Sequence, residues 1–288
     1  MPDAGGVTFA TEQNIRIRLR AIAPAAKNVL CGAVIGASML IPGVSGGTTA
    51  IMIGIYDRLV RAVSQLWGQF RQNIIFLAEA ALGGLIGMVL FSGAVLRITR
   101  SYPMESAYLF MGAILGSVPL MVRKAELTKR RLGCVLFAGV GILLSLAIGQ
   151  MSAAGFSFAD SGIIGGIKLV LCGVVIAAAL ILPGISTSHV LLMLGLYETV
   201  LGAISALDIP CLALLGAGTA VGVLLLTRIL DRAMTRYPSP TYMMIAGFVL
   251  ASVYDLFPGT AQGGQMLLCV LLFAAGFTVT ANTMFHVE

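Results

Sequence analysis

Pro42-Gly43-Val44-Ser45-Gly46-Gly47-Thr48-Thr49 sits in the middle of an apolar run from Val29 to Ile55. Pro183-Gly184-Ile185-Ser186-Thr187-Ser188-His189 interrupts a second run, Leu169 to Leu196, in the same manner. Proline lacks the backbone donor that a helix needs and clashes with the preceding turn, while glycine tolerates angles that other residues avoid. Neither run is an uninterrupted helix. Each reads as two half-helices joined by a polar turn.

The two breaks belong to a duplication. Cys31 to Leu66 aligns with Cys172 to Leu207 without a gap at a shift of 141, with 14 of 36 positions identical, among them Pro42/Pro183, Gly43/Gly184, Ser45/Ser186, Gly54/Gly195 and Tyr56/Tyr197. At a shift of 135 the match continues through Gly87/Gly222, Arg97/Arg232, Tyr102-Pro103/Tyr237-Pro238, Gly112/Gly247 and Cys134/Cys269. Each half is thus one structural unit, repeat 1 over 28–150 and repeat 2 over 168–283.

Hydrophobic residues form 58% of the 288 positions and charged residues only 10%, a composition that excludes a soluble globular domain and calls for an all-α polytopic membrane protein. The net charge of +6 falls in short loops, where membrane topology accounts for it, so no nucleic-acid partner is expected. Cys31, Cys134, Cys172, Cys211 and Cys269 show no CxxC spacing and read as small core residues; no metal or other cofactor is expected. The segment 1–27 has no signal-peptide pattern, and reads either as a basic tail or as an interfacial helix with Ile15, Leu19 and Ile22 on one face.

After each break come three plain apolar segments: Ile74 to Leu96, Ala107 to Val122 and Leu132 to Gln150, then Cys211 to Ile229, Tyr242 to Leu256 and Met266 to Thr283. All six read as spans. The arms Val29 to Ile41 and Val44 to Tyr56 would each extend about 20 Å, against a hydrocarbon core of about 30 Å, so neither crosses alone. Arg16, Arg18, Arg20 and Lys27 precede the first interrupted segment and Arg58, Arg61 and Arg71 follow it. By the positive-inside rule both flanks are cytoplasmic, and the segment enters and returns. Arg123 to Arg131 then falls inside, Met151 to Ile167 outside, Arg228 to Arg236 inside, and both termini inside; Arg97 and Arg100 alone break the rule. One dip and three spans per half make an odd number of crossings. The expected fold is therefore two inverted-topology repeats, each a re-entrant hairpin (28–56 and 168–197) plus three transmembrane helices, the pattern of secondary transporters.

Ile41-Pro42-Gly43-Val44-Ser45-Gly46-Gly47-Thr48 with Gly54-Ile55-Tyr56-Asp57, and Leu182-Pro183-Gly184-Ile185-Ser186 with Gly195-Leu196-Tyr197-Glu198, resemble the polyprenyl-phosphate transporter family, formerly a domain of unknown function. The resemblance runs from Lys27 onward. It departs at Ser186-Thr187-Ser188-His189, where the family commonly has glycine after the first serine, and at Met39, where many members are polar. The resemblance implies a bacterial cytoplasmic-membrane protein that returns undecaprenyl phosphate, the lipid carrier of cell-wall synthesis, to the inner leaflet. Its implied partners are that lipid and the bilayer, with the oligomeric state left open.

The residues fit an anionic headgroup. Half-helices that begin inside the membrane present unpaired N–H groups, so Pro42, Gly43, Ser45, Gly46, Gly47 and Thr48 with Pro183, Gly184, Ser186, Thr187, Ser188 and His189 form a candidate phosphate site. The alternative is that the hydroxyls cap their own helices and the glycines serve packing. Lys27 and Lys168, equivalent in the repeat, and Arg97 are candidates for attracting the headgroup, against ordinary snorkelling at the interface. Glu79 and His189 are candidates for coupling to a proton or sodium gradient. Tyr56-Asp57 and Tyr197-Glu198 read as interfacial anchors, and Leu59, Val63, Leu66, Trp67 and Phe70 as the apolar face of a surface helix. The rival functions are a transporter or channel for a small soluble anion, whose site would look the same, and a membrane lipid phosphatase using Ser188 and His189. The phosphatase lacks a carboxylate pair or metal cluster beside the histidine.

Overall fold

A computed structural model describes residues 24–41, 44–125, 131–150, 163–185, 187, 190–191, 194–206 and 208–285. Among these residues the structure is helical, with no strand. The first run is broken as its proline and glycines demand. Helix α1 (24–38) ends before Pro42, and α2 (Gly46–Met52) and α3 (Tyr56–Ser64) follow, joined through Gly54 at φ 77°. Then come α4 (Phe70–Ser101), α5 (Pro103–Lys124), α6 (Arg131–Gln150), α7 (Ile163–Ile181), α8 (Tyr197–Ala206), α9 (Ile209–Arg236), α10 (Pro238–Leu256) and α11 (Gly264–Phe285).

All six segments expected as spans are helical. Of these, α4, α5, α9 and α11 are long and apolar enough to cross a membrane. The fifth such helix is α7, apolar over Ile164–Ile181, which was expected only as half of a broken segment. At 18 residues it measures about 27 Å, so length alone does not distinguish dipping from crossing there. Helix α6 shows a shorter apolar stretch, Val135–Ile148. Helix α10 is mostly buried at the centre of the bundle, with Thr241, Tyr242 and Ser252 facing protein. The outer helices expose their aliphatic side chains, for example Val89 at 75% on α4 and Leu267 at 67% on α11. A belt of this kind belongs in hydrocarbon, and the chain is a multi-pass membrane protein.

The duplication reappears in the packing, contact by contact. Helices α1 and α4 meet where a Cβ on Gly83 would strike the Val29 carbonyl oxygen, and α7 and α9 meet where one on Gly218 would strike that of Val170. Gly32 lies on the Ala80 carbonyl and Gly173 on that of Leu215; Gly112 lies on Phe273 and Gly247 on Ala138. In each case the second pair is the first moved by the repeat shifts of 141 or 135. Helix α5 of the first half thus packs on α11 of the second, and α10 of the second on α6 of the first. Lipid tails are as apolar as leucine, so such helices associate through close backbone approach at small residues.

The corners between spans repeat as well. Tyr102 and Tyr237 have φ/ψ of −134°/62° and −134°/61°, and each is followed by a proline at the first position of the next helix, where its missing N–H costs nothing. The equivalent helices α5 and α10 run antiparallel. Lys124 at the end of α5 lies 5.8 Å from the ring of Tyr242 near the start of α10, and Tyr108 near the start of α5 lies 6.3 Å from Phe257, just beyond the end of α10.

The helix-packing glycines allow a direct check. Gly112→Leu and Gly247→Leu should each lower stability by about 1–3 kcal/mol or prevent assembly, because a carbonyl of the facing helix occupies the space. Gly93→Leu and Gly216→Leu, with nothing within 4 Å of an added Cβ, should leave the melting temperature in detergent unchanged.

Candidate functional site

The two breaks, about 140 residues apart, are in contact. Ser45 caps α2: its Oγ accepts the Thr48 N–H at 3.1 Å and lies 2.8 Å from Thr48 Oγ1. The same two hydroxyl oxygens accept the backbone N–H of Gly184, at 3.1 Å from Ser45 and 2.9 Å from Thr48. Gly184 needs φ +83° and presses against the Phe248 carbonyl, so only glycine fits there. Gly47 packs on the buried Pro183, where an added Cβ would sit 3.2 Å from its Cα. Two further bonds lock the junction. Ser38 Oγ pairs with Thr49 Oγ1 at 2.7 Å, tying the end of α1 to α2, and Tyr56 donates to the Ile181 carbonyl at the end of α7 at 2.9 Å.

An open cavity of about 280 Å³ borders this junction. Ser45, Gly46, Gly47 and Thr187 line its rim at the breaks. The rest of its wall is mostly aliphatic: Ile35 from α1 and Met39 just after it, Leu59, Val60 and Val63 from α3, Ala179 to Ile181 from α7, and Val223 beside Thr227 from α9. The cavity therefore has a polar end and an apolar body.

The sequence candidates distribute as follows. Ser45, Gly46, Gly47 and Thr187 border the cavity, Thr48 is wholly buried behind it, and Pro183 and Gly184 form the opposing turn. Pro42, Gly43, Ser186, Ser188 and His189 lie outside the described residues. Lys27 and Arg97 are exposed and Lys168 is half-buried; none of the three belongs to the described lining. Glu79 is tied into a chain at the start of α1, where its Oε2 accepts from Asn28 Nδ2 at 2.7 Å while Asn28 Oδ1 accepts from Arg58 at 3.1 Å. The Arg58 guanidinium also sits 4.0 Å from the Phe76 ring centroid.

Two expectations need correcting. Tyr56 and Asp57 are not interfacial anchors: Tyr56 is 4% exposed and reaches α7, and Asp57 pairs with Lys124 and accepts from the Tyr242 hydroxyl at 3.0 Å. The segment from Leu59 to Phe70 is not one surface helix. Helix α3 stops at Ser64, and Leu59 and Val63 face the cavity, while Trp67 and Phe70 stack on each other beyond the turn at 5.6 Å. The i, i+4 spacing of Leu59 and Val63 was the visible signal. It marks a buried face without naming what buries it. The α9 residues Val223 and Thr227 carried no signal in the sequence.

The shared hold on Gly184 implies redundancy. Ser45→Ala and Thr48→Val should each lower stability little, since the other oxygen still accepts the N–H. The double variant should cost about 1–3 kcal/mol more than the sum of the two, read as apparent melting temperature in detergent.

A family profile described as undecaprenyl phosphate translocase-like matches residues 35–267. The chain is 30% identical over 268 residues to the polyprenyl-phosphate transporter of Staphylococcus aureus, covering 88% of this chain and 94% of the relative. It is 28% identical over 243 residues to that of Vibrio cholerae, covering 80% of this chain and 76% of the relative. No solved structure matches. The matched region takes in both interrupted motifs, the cavity between them and most of the glycine-packed bundle: this chain belongs to the undecaprenyl phosphate translocase-like family.

Proposed function

We propose that this protein moves undecaprenyl phosphate across the bacterial cytoplasmic membrane and so recycles the lipid carrier of cell-wall synthesis. In this reading the phosphate is held at the Pro-Gly turns while the tail stays in hydrocarbon. The observation that carries it is the two-ended cavity. A small hydrated anion has no use for walls of Ile35, Leu59, Val63 and Leu180, whereas an amphiphile matches both the wall and the Ser45–Gly47 rim. The phosphate oxygens would meet the N–H groups of Gly46 and Gly47, which precede the first intrahelical bonds, and the Thr187 hydroxyl. Ser45 and Thr48 act chiefly by holding the second turn in place.

Inverted halves are part of the proposal. Antiparallel packing of α5 with α10 supports them, and the Asn28–Arg58 bond supports a first segment that enters and returns at one end. Asp57, Arg58, Lys124 and Asp231 gather at that same end, which we assign to the cytoplasm together with both termini. Coupling to a proton or sodium gradient is proposed with Glu79 and His189 as its candidates.

Besides Ile35 of α1 and the start of α2, the observed cavity uses α3, α7 and α9. Their repeat equivalents are α8, α1 and α4, so the opposite-facing state should open a cavity between those three helices. Ser92 there takes the place of Thr227. In a cysteine-free background, Thr227→Cys should react with a membrane-impermeant thiol reagent from the cytoplasmic side and Ser92→Cys from the other. Labelling of both from one side would refute the inverted arrangement.

Vesicles containing labelled undecaprenyl phosphate and read with a leaflet-selective probe test the function itself. The wild type should move the lipid, and Gly46→Leu should reduce the rate at least about tenfold by plugging the cavity. Its added Cβ meets side chains and no backbone, the flexible Met39 Sδ at 3.1 Å and Ile35 Cγ2 at an ordinary 3.4 Å, so folding should survive. Movement of inorganic phosphate without lipid movement would favour the soluble-anion transporter.

A further inference from the structure

A second, charged cavity lies between the end of α3 and α9. Val63 on α3 and Thr227 on α9 line the apolar cavity, and Ser64 and Arg228 are the next residue on each helix. These two open a pocket of about 450 Å³ whose remaining walls are Asp231, Arg232, Thr235 and Arg236. The three arginines recur every fourth residue, on one face of α9, and are exposed, while Thr227, Leu230 and Met234 on the other face are buried. The duplication does not account for this row: only Arg232 has an arginine as its equivalent, Arg97, and the positions matching Arg228 and Arg236 are Gly93 and Ser101.

The one carboxylate in the pocket, Asp231, is engaged across the crevice. Its Oδ2 accepts from Ser64 Oγ at 2.9 Å and from Gln65 Nε2 at 3.3 Å, so it fastens the end of α3 to α9. Arg236 in addition stands 5.7 Å over the Tyr237 ring. Three guanidinium groups against one carboxylate leave an excess of two positive charges in this pocket. Guanidinium forks bind phosphate oxygens in pairs and keep their charge at any physiological pH.

We propose that Arg228, Arg232 and Arg236 form a docking subsite for a phosphate monoester dianion. The lipid headgroup rests there before it passes between α3 and α9 to the Ser45–Gly47 rim, or after it returns. The Asp231–Ser64 bond closes the passage beneath it. This inference rests on the reading of the chain as a polyprenyl-phosphate transporter.

The test uses the full chain in lipid nanodiscs, with farnesyl phosphate as a short polyprenyl phosphate and inorganic phosphate as a second probe, each measured by titration calorimetry. Each of Arg228→Gln, Arg232→Gln and Arg236→Gln should weaken farnesyl phosphate binding about five-fold, and the triple variant about a hundredfold. Raising salt from about 50 mM to about 500 mM should weaken the wild type and leave the triple glutamine variant nearly unaffected. The triple lysine variant keeps the charge that orients the chain and should recover only part of the affinity. Asp231→Asn should bind farnesyl phosphate more tightly, a gain that misfolding cannot produce. A triple glutamine variant that binds and transports like the wild type overturns the subsite and leaves the transporter reading intact. Tight binding of inorganic phosphate that excludes farnesyl phosphate assigns the pocket to the free anion and overturns it as a lipid subsite. Absence of any polyprenyl phosphate binding or transport by the wild type overturns both.

Discussion

The Gly184 N–H, held by the hydroxyl oxygens of Ser45 and Thr48, is the bond on which the architecture turns. A chain that breaks its helix at membrane depth exposes backbone donors and acceptors where no water reaches, and each left unpaired costs several kcal/mol. Here one break supplies acceptors for the other. The Gly184 N–H finds its acceptors in the other half, and this bond joins segments about 140 residues apart. Tyr56 extends the principle by donating to the Ile181 carbonyl, one of the acceptors that α7 leaves open at its end.

Around that junction the bundle is assembled by close approach of backbones. The glycines of α1 with α4 and of α7 with α9 meet at equivalent positions, and so do those of α5 with α11 and of α6 with α10. The last two pairings cross between the halves, so neither half is complete alone. Interlocking of this kind lets the polar turns lie at the centre while aliphatic side chains cover the exterior. It also places α9 where one face closes the apolar cavity and another carries the arginines that share a pocket with Ser64.

Much of this organisation was legible in the chain. The breaks, the repeat shifts, the helices and the Tyr-Pro corners all follow from residues with local consequences, because proline, glycine and long apolar runs act on their own backbone. Lys27, Lys168 and Arg97 were legible as charges flanking apolar runs, and they stand apart from the described lining of the cavity. Tyr56 and Asp57 were misread. Their position at the end of an apolar arm resembles an interface, yet Asp57 is bound by Lys124 and Tyr242 from two other helices.

The sequence by itself determined the membrane class, the duplication and the places where helices must stop, since these depend on composition and on local backbone chemistry. Only the tertiary structure decided which faces meet: that Leu59 and Val63 turn toward α9, that Ser45 and Thr48 spend their oxygens on Gly184, and that Arg228 lies next to Ser64. The reason is physical. In a bilayer, lipid and protein interior are equally apolar, so hydrophobicity marks what may be immersed without telling core from exterior. That distinction comes from backbone contact and hydrogen bonding between distant segments, which no local pattern encodes.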